Sequence, residues 1–151
     1  MTMTELIKKY PLIFQVRKGH ELEPFCMFGV ECGDGWIPLL NTLCYQIQSY
    51  IDYRKKSNEQ IEENKKKYPD YNQKPFDLIP QVVVTQVKEK YGTLRFYYDG
   101  GDETIDGMVR MAEAMSAITC EACGNLGKFR GKYWFYTACD EHTKEEDKND
   151  N

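Results

Sequence analysis

Histidine is scarce in this sequence. Two of its 151 residues are His, His20 and His142. That scarcity weighs against a reaction centre built from several imidazoles, such as a histidine-and-metal nuclease, and leaves any cysteine nucleophile with few bases to draw on. Neither His sits in a catalytic pattern. His20-Glu21-Leu22-Glu23 reads H-E-x-E, not the H-E-x-x-H of a zinc-protease helix, and no His-x-Glu precedes a cysteine pair as zinc deaminases require. Long apolar runs are missing as well. No segment approaches the ~20 apolar residues of a membrane span. The opening M-T-M-T-E-L-I-K-K-Y has no apolar stretch of signal-peptide length, so the expected location is the cytoplasm. Excess positive charge is absent too. A formal net charge of -4 makes a poor general DNA binder, because such affinity comes mostly from neutralising phosphates. A local basic face stays open. No internal repeat is evident.

What is present points first to a metal. The stretch from Thr119 to His142 contains T-C-E-A-C-G, a basic and aromatic run, and T-A-C-D-E-H. Cys120 and Cys123 are separated by two residues, as are Cys139 and His142, with fifteen residues between the pairs. That is the layout of a Cys3His site, in which soft thiolates and an imidazole supply the tetrahedron that zinc prefers. Gly124 fits the tight turn of a knuckle, where positive φ is often needed. One structural zinc is therefore the expected cofactor. In a reducing compartment paired cysteines more often mean metal than disulfide. The odd remainder of Cys26, Cys32 and Cys44 also argues against a disulfide framework. A second metal site could be drawn from His20, Cys26, Glu31 and Cys32, but their spacing matches no compact ligand pair. Small core thiols are the expectation there.

The remainder of the chain reads as α+β. Leu6, Ile7, Tyr10, Leu12, Ile13 and Phe14, broken by Pro11, suggest a helical turn followed by an extended segment. Asp34-Gly35-Trp36-Ile37-Pro38 looks like a helix start, with Asp34 as cap and Pro38 in the first turn. Leu39, Leu40, Leu43, Cys44, Ile47, Tyr50 and Ile51 then recur at helical spacing. Trp36 is expected as a core anchor. From Arg54 to Lys67 the stripe fades, as either an exposed extension of the helix or a solvated connection. Y-P-D-Y-N-Q-K-P ends any helix. Gln81 to Asp99 predicts a hairpin turning at Tyr91-Gly92, with Leu94 and Phe96 on one face and Arg95 and Tyr97 on the other.

Gly100-Gly101-Asp102-Glu103 reads as a strand-to-helix turn. Its carboxylates satisfy the helix amides themselves and would repel phosphate. Asp99 and Asp102 as a magnesium pair is the lesser reading. Ile105, Met108, Val109, Ala112, Met115 and Ile118 mark one apolar face of the next helix. In the zinc segment, Lys128-Phe129-Arg130 and Tyr133-Trp134-Phe135-Tyr136 flank Gly131-Lys132 as a small hairpin. Knuckle, hairpin and a second ligand pair at a helix start describe a treble-clef-like or zinc-ribbon-like finger. Residues 1–142 are expected to form one α+β domain with a finger subdomain at 119–142. Residues 143–151 should be a flexible, acidic and polar tail.

Four phrases carry a resemblance. They are K-E-K-Y-G-T-L-R-F-Y-Y-D-G-G from Lys88, M-S-A-I-T-C-E-A-C-G from Met115, W-F-Y-T-A-C-D-E-H from Trp134, and the weaker G-D-G-W-I-P-L-L from Gly33. Through them the chain resembles a group of small phage and prophage proteins with a C-terminal C-x2-C…C-x2-H finger. The resemblance implies a phage accessory protein at work in the host cytoplasm, a class that often acts by binding host factors, including defence components.

Two pairs of ligands fill a zinc tetrahedron, so the ion is expected to be structural rather than catalytic. The leading expectation is a non-enzymatic binding module. Its partner would be a host protein, met by Lys128, Arg130, Lys132, Tyr133 and Trp134, since Tyr, Trp and Arg are common interface anchors. The alternative adds Arg95 and Tyr97 and holds nucleic acid or a nucleotide by stacking and charge, including sequestration of a nucleotide signal. A metal-dependent nuclease comes third. The competing structural reading makes Trp134 and Phe135 the finger's own core.

Overall fold

The structure, a computed structural model, describes residues 1–15 and 29–147. Helix α1 covers Met3–Lys9 and begins with a reciprocal cap: Thr2 Oγ1 accepts the Glu5 N–H, and the Glu5 carboxylate accepts the Thr2 N–H. Beyond Pro11 the chain turns rather than extending as the sequence suggested. The N–H groups of Ile13 and Phe14 both reach Tyr10 O, and this turn tucks Leu6, Tyr10, Ile13 and Phe14 into the core while Leu12 stays exposed.

Helix α2, Ile37–Lys67, is the long axis of the fold, with Pro38 in its first turn as expected. Its inner stripe is Ile37, Leu40, Leu43, Cys44, Ile47 and Ile51, and the charged stretch after Arg54 is a helical extension on which Ile61 alone is buried. That extension is not bare. The chain returns along it, and Asn58 holds the Phe76 backbone at both ends, Nδ2 to O at 2.7 Å and N to Oδ1 at 2.8 Å. The expected cap at Asp34 is not made. Residues Asp34–Trp36 form a 3-10 turn whose side chains cap nothing, because that turn is committed elsewhere, as described below.

A three-stranded sheet covers α2. Strand β1 (Val30–Glu31) pairs parallel with β2 (Val83–Lys90), and β2 pairs antiparallel with β3 (Thr93–Asp99), with an irregularity between Val84 and Gln86. Val82, Val84, Val87, Leu94 and Phe96 face the core, and Arg95 and Tyr97 lie opposite. The hairpin turns at Tyr91-Gly92, both with positive φ, 53° and 79°. After Gly100 and Gly101, Asp102 Oδ1 accepts the N–H of Thr104 and of Ile105, and its Oδ2 takes the Tyr50 hydroxyl at 3.1 Å. Both oxygens of Asp102 are thus engaged, one in capping the next helix and one by Tyr50.

Helix α3, Glu103–Ser116, runs along β3. Sequence periodicity put Met115 and Ile118 on its inner face, and both are exposed. The inner position falls to Ser116, whose hydroxyl accepts the Leu94 N–H at 2.8 Å, while Glu113 accepts the Phe96 N–H at 3.0 Å. These two side chains satisfy donors on β3, the outer strand of the sheet, which apolar residues could not do. Ile118 lies past the helix end, in the turn that delivers Cys120. Gly107 stands exposed in mid-α3 with open space where a Cβ would go. Gly107→Ala is expected to raise stability by about 0.5–1 kcal/mol, read as a shift in the denaturant midpoint.

Candidate metal centre

The knuckle forms because the chain doubles back immediately after α3. Gly124 N–H reaches Cys120 O and Cys120 N–H reaches Asn125 O, both at 2.8 Å, with Gly124 at φ 78°. Strands β4 (Lys128–Arg130) and β5 (Tyr136–Ala138) then form a short antiparallel ribbon. It is narrower than the sequence suggested, for Tyr133, Trp134 and Phe135 sit in the loop between the strands. Past β5, Cys139 precedes a 3-10 turn, Asp140–His142, which returns His142 to the cluster.

The four expected ligands meet. Cys120, Cys123 and Cys139 Sγ and a ring nitrogen of His142 all lie within 4.8 Å of one another. Cys123 Sγ and Cys139 Sγ are 3.7 Å apart, Cys120 Sγ is 3.8 Å from His142 Nδ1, and Cys139 Sγ is 3.1 Å from the same nitrogen. Sulfurs bonded at ≈ 2.3 Å to a tetrahedral zinc are separated by about 3.8 Å, so the donor set and its edges suit that ion. The group can hold a metal.

Electrostatics also favour a cation. Desolvation pushes the Cys120 and Cys139 thiols up, but backbone N–H groups and hydrogen bonds from the neighbouring thiols together outweigh it. The backbone N–H groups of Cys139, Cys123 and Ala122 and then the Cys123 thiol hold Cys120 below the ordinary thiol range, and the His142 N–H, the Cys123 and Cys120 thiols and the Glu141 N–H do so for Cys139. Cys123 goes the other way. The Asn125 N–H draws it down, yet desolvation and the sulfurs of Cys120 and Cys139 push it up further. Three adjacent thiolates repel one another until a dication joins them.

Searches of protein-family models, of curated proteins and of solved structures give no match to this chain. What the finger does must therefore be argued from its own residues.

The finger is seated at two places. Its knuckle rests on the Asp34–Trp36 turn at the head of α2. Gly35 N–H reaches Glu121 O at 2.8 Å, Gly33 N–H reaches the Glu121 carboxylate at 2.9 Å, and Trp36 Nε1 donates to Thr119 O at 2.8 Å. Gly35 is a glycine because a Cβ there would lie 2.3 Å from Cys120 O and 2.6 Å from Gly124 N. The stretch Asp34-Gly35-Trp36, read from sequence as part of a helix start, is thus, with Gly33, the dock for the cysteine knuckle. Its signal was two glycines beside a Trp with an indole donor to place. The second seat is the hairpin turn. Thr137 Oγ1 donates to Gly92 O at 2.6 Å, and Phe129 packs where a Gly92 side chain would stand.

Other cysteines stay apart from the cluster. Burial pushes Cys44 up to about 12, and burial together with Glu121 and Asp34 does the same for Cys32. Both are protonated core thiols at neutral pH. Cys26 and His20, the rest of the second site that could be drawn, lie outside the described residues.

The residues expected to meet a partner divide into two groups. Arg130 is engaged inside the finger, with Nε on Ala138 O at 2.9 Å and Nη2 paired with Asp140, which holds that carboxyl below its usual range. Arg95 donates to Thr93 Oγ1 and Leu94 O, and Tyr97 lies under the Lys88 ammonium at 5.5 Å. Lys128 and Lys132 are exposed. Tyr133 and Trp134 are 92% and 72% exposed, so neither belongs to the finger's core. Phe135 stacks on Phe129, with centroids 5.1 Å apart. Tyr133, Trp134 and Phe135 line a cleft of about 410 Å³, completed by Glu89, Lys90 and Tyr91 of the hairpin turn. Sequence reading did not name that second half. Thr143 to Asp147, the first part of the expected tail, lie against β5, with Tyr136 Oη donating to Asp147 and accepting from the Lys144 N–H.

Proposed function

We propose that this protein is a zinc-clamped binding module that takes a partner protein on the tip of its finger. Four protein ligands leave a tetrahedral ion no open position, so the zinc is a clamp and the finger's surface does the work. The observation that carries the reading is the exposed aromatic group Tyr91, Tyr133 and Trp134, brought by two turns around one cleft. Aromatic centres ringed by mixed charge are the anatomy of protein interfaces. The cleft itself carries Glu89 and Lys90, and Lys132, Glu146 and Asp147 line a neighbouring cleft on the other side of Tyr133 and Trp134.

The resemblance to phage proteins makes the partner a host protein in the host cytoplasm, with defence components among the first to test. No helix among the described residues is long and apolar enough to cross a membrane.

A second reading, single-stranded nucleic acid or a sequestered nucleotide, draws on Lys88, Lys90, Arg95 and Lys132 interleaved with aromatics. Glu89 in the cleft, Glu146 and Asp147 in its neighbour, and the net charge of -4 weigh against it.

Capture of partners from host lysate tests both readings. Trp134→Ala is expected to abolish capture of a specific protein while leaving zinc content and melting unchanged. Binding that weakens steeply with salt and survives removal of protein would point to nucleic acid. Capture unaffected by Trp134→Ala would remove the fingertip from the account.

A further inference from the structure

Helix α3 carries a second apolar face that does not serve the chain's own core. Met111, Met115 and Ile118 are 63%, 45% and 55% exposed. The Ile118 N–H still reaches Met115 O, so the helical spacing runs on through the turn. At about 100° per residue, Gly107, Met111, Ala114, Met115 and Ile118 fall on one arc of the helix. Met108 stands at its edge. There the arc runs into an apolar groove of about 170 Å³ shared with Leu39 and Leu43 of α2. None of the charged residues of α3 (Glu103, Asp106, Arg110 and Glu113) falls on the arc, and every residue lining the groove is uncharged. Two such surfaces can meet without burying a charge.

Gly107 is an independent observation. It is exposed in mid-helix, and no atom of the described chain lies within 4 Å of where its Cβ would stand. Glycine in that setting costs about 0.5–1 kcal/mol against alanine, and no close approach within the chain asks for it. A backbone left bare in the middle of an apolar face suits the close approach of another helix.

The face is complementary to itself. Place two α3 helices antiparallel about a two-fold axis at Met111 and count outward. Gly107 faces Met115 of the second copy, and Ala114 faces Met108 of the second copy, so each small residue receives a large one. Thr104 faces Ile118 of the second copy, and the two Met111 side chains meet on the axis. Reciprocal pairing of this kind is what an isologous contact requires. We infer that two copies of this chain associate through α3, antiparallel about Met111. This inference concerns a surface separate from the fingertip and does not depend on it. Fourteen residues make α3 about 21 Å long, and with α2 beside it the face is about 20 Å wide. Roughly 400 Å² in projection is a small interface, so the dimer belongs to the micromolar rather than the nanomolar range.

The test is sedimentation equilibrium of the zinc-loaded, full-length protein from micromolar to millimolar concentration. A reversible monomer–dimer equilibrium is expected. Met111→Lys sets two ammonium groups against each other on the axis and should raise the dissociation constant by about tenfold or more. It should leave the melting of the dilute monomer unchanged. Gly107→Ala should weaken the dimer by about fivefold or more, because its methyl meets the methionine it was leaving room for. It should also raise the unfolding midpoint of the dilute monomer. Weaker association by a more stable chain is a result that a merely structural glycine would not give. On mild oxidation Met111→Cys should form a 111–111 disulfide between copies, and Glu103→Cys, off the arc, should not. A monomer at every concentration up to about 1 mM overturns the inference. So does a dimer indifferent to Met111→Lys, or cross-linking at 103 in preference to 111. A dimer that Trp134→Ala dissociates would move the contact to the fingertip and also overturn it. If the chain stays monomeric and captures a host protein only with Met111 intact, the face takes a partner's helix and self-association is wrong. Loss of the α3 dimer with capture through Trp134 intact leaves the fingertip reading standing.

Discussion

Cys120→Ser is expected to strip the metal from the protein and unfold residues 119–147 while α2 and the sheet persist. Cys120 is the fully buried ligand, and its backbone closes the knuckle through Gly124 N–H and Asn125 O. Without a metal, the finger would be held by a three-residue-per-strand ribbon and its two seats, too little to order it alone. Structural zinc sites in isolated fingers bind with roughly 10–16 kcal/mol, and that energy is folding energy, so removal of one thiolate costs several kcal/mol locally. Metal content by elemental analysis should fall below one ion per chain. Trp36 fluorescence should shift red as Thr119 releases its indole, and chelation of the wild type should reproduce both changes. A variant with stoichiometric metal and wild-type melting would contradict the clamp.

Gly35→Ala is expected to separate docking from metal binding. The added methyl would meet Cys120 O at 2.3 Å and both Glu121 O and Gly124 N at 2.6 Å, and all three are backbone atoms that no rotamer change can move aside. The knuckle must lift from the head of α2, losing the Gly35–Glu121 and Trp36–Thr119 hydrogen bonds and opening the site of a fully buried Trp. Overpacking together with two lost hydrogen bonds amounts to about 3 kcal/mol or more, or about 10 °C in Tm for a chain of this size. The four ligands keep their own spacing, so zinc should stay bound near one per chain. Wild-type stability in Gly35→Ala would show that the close approach has slack. Loss of metal together with stability would show that the knuckle cannot form without its dock.

These two outcomes mark where sequence reading reached and where it stopped. The Cys3His cluster was legible because such a knuckle is local: two C-x-x-[CH] pairs and one glycine encode it within a few residues each. The long helix was legible through its apolar spacing, and the hairpin through its valines and the Tyr91-Gly92 turn. Asp102 as the cap of α3 followed from its place before Thr104 and Ile105. The failures have a shared form. Met115 and Ile118 look like core by periodicity, but hydrogen-bonding donors on β3 called for Ser116 and Glu113 instead. Asp34 looks like a cap, but its turn is occupied by a knuckle more than eighty residues later in the chain.

By itself, then, the sequence determined the Cys3His cluster, the long helix, the β2–β3 hairpin and the helix after it, and the faces that α2 and β3 bury, because each depends on neighbours a few residues away; the two-residue strand β1 left no such local mark. Tertiary structure alone decided where the finger sits and which aromatics it leaves in the open. Gly35 against Cys120, Thr137 against Gly92, and Tyr91 beside Trp134 are contacts between distant segments, and no local spacing records them. The cleft exists because two turns from different parts of the chain stop next to each other, and that is a property of the packed molecule.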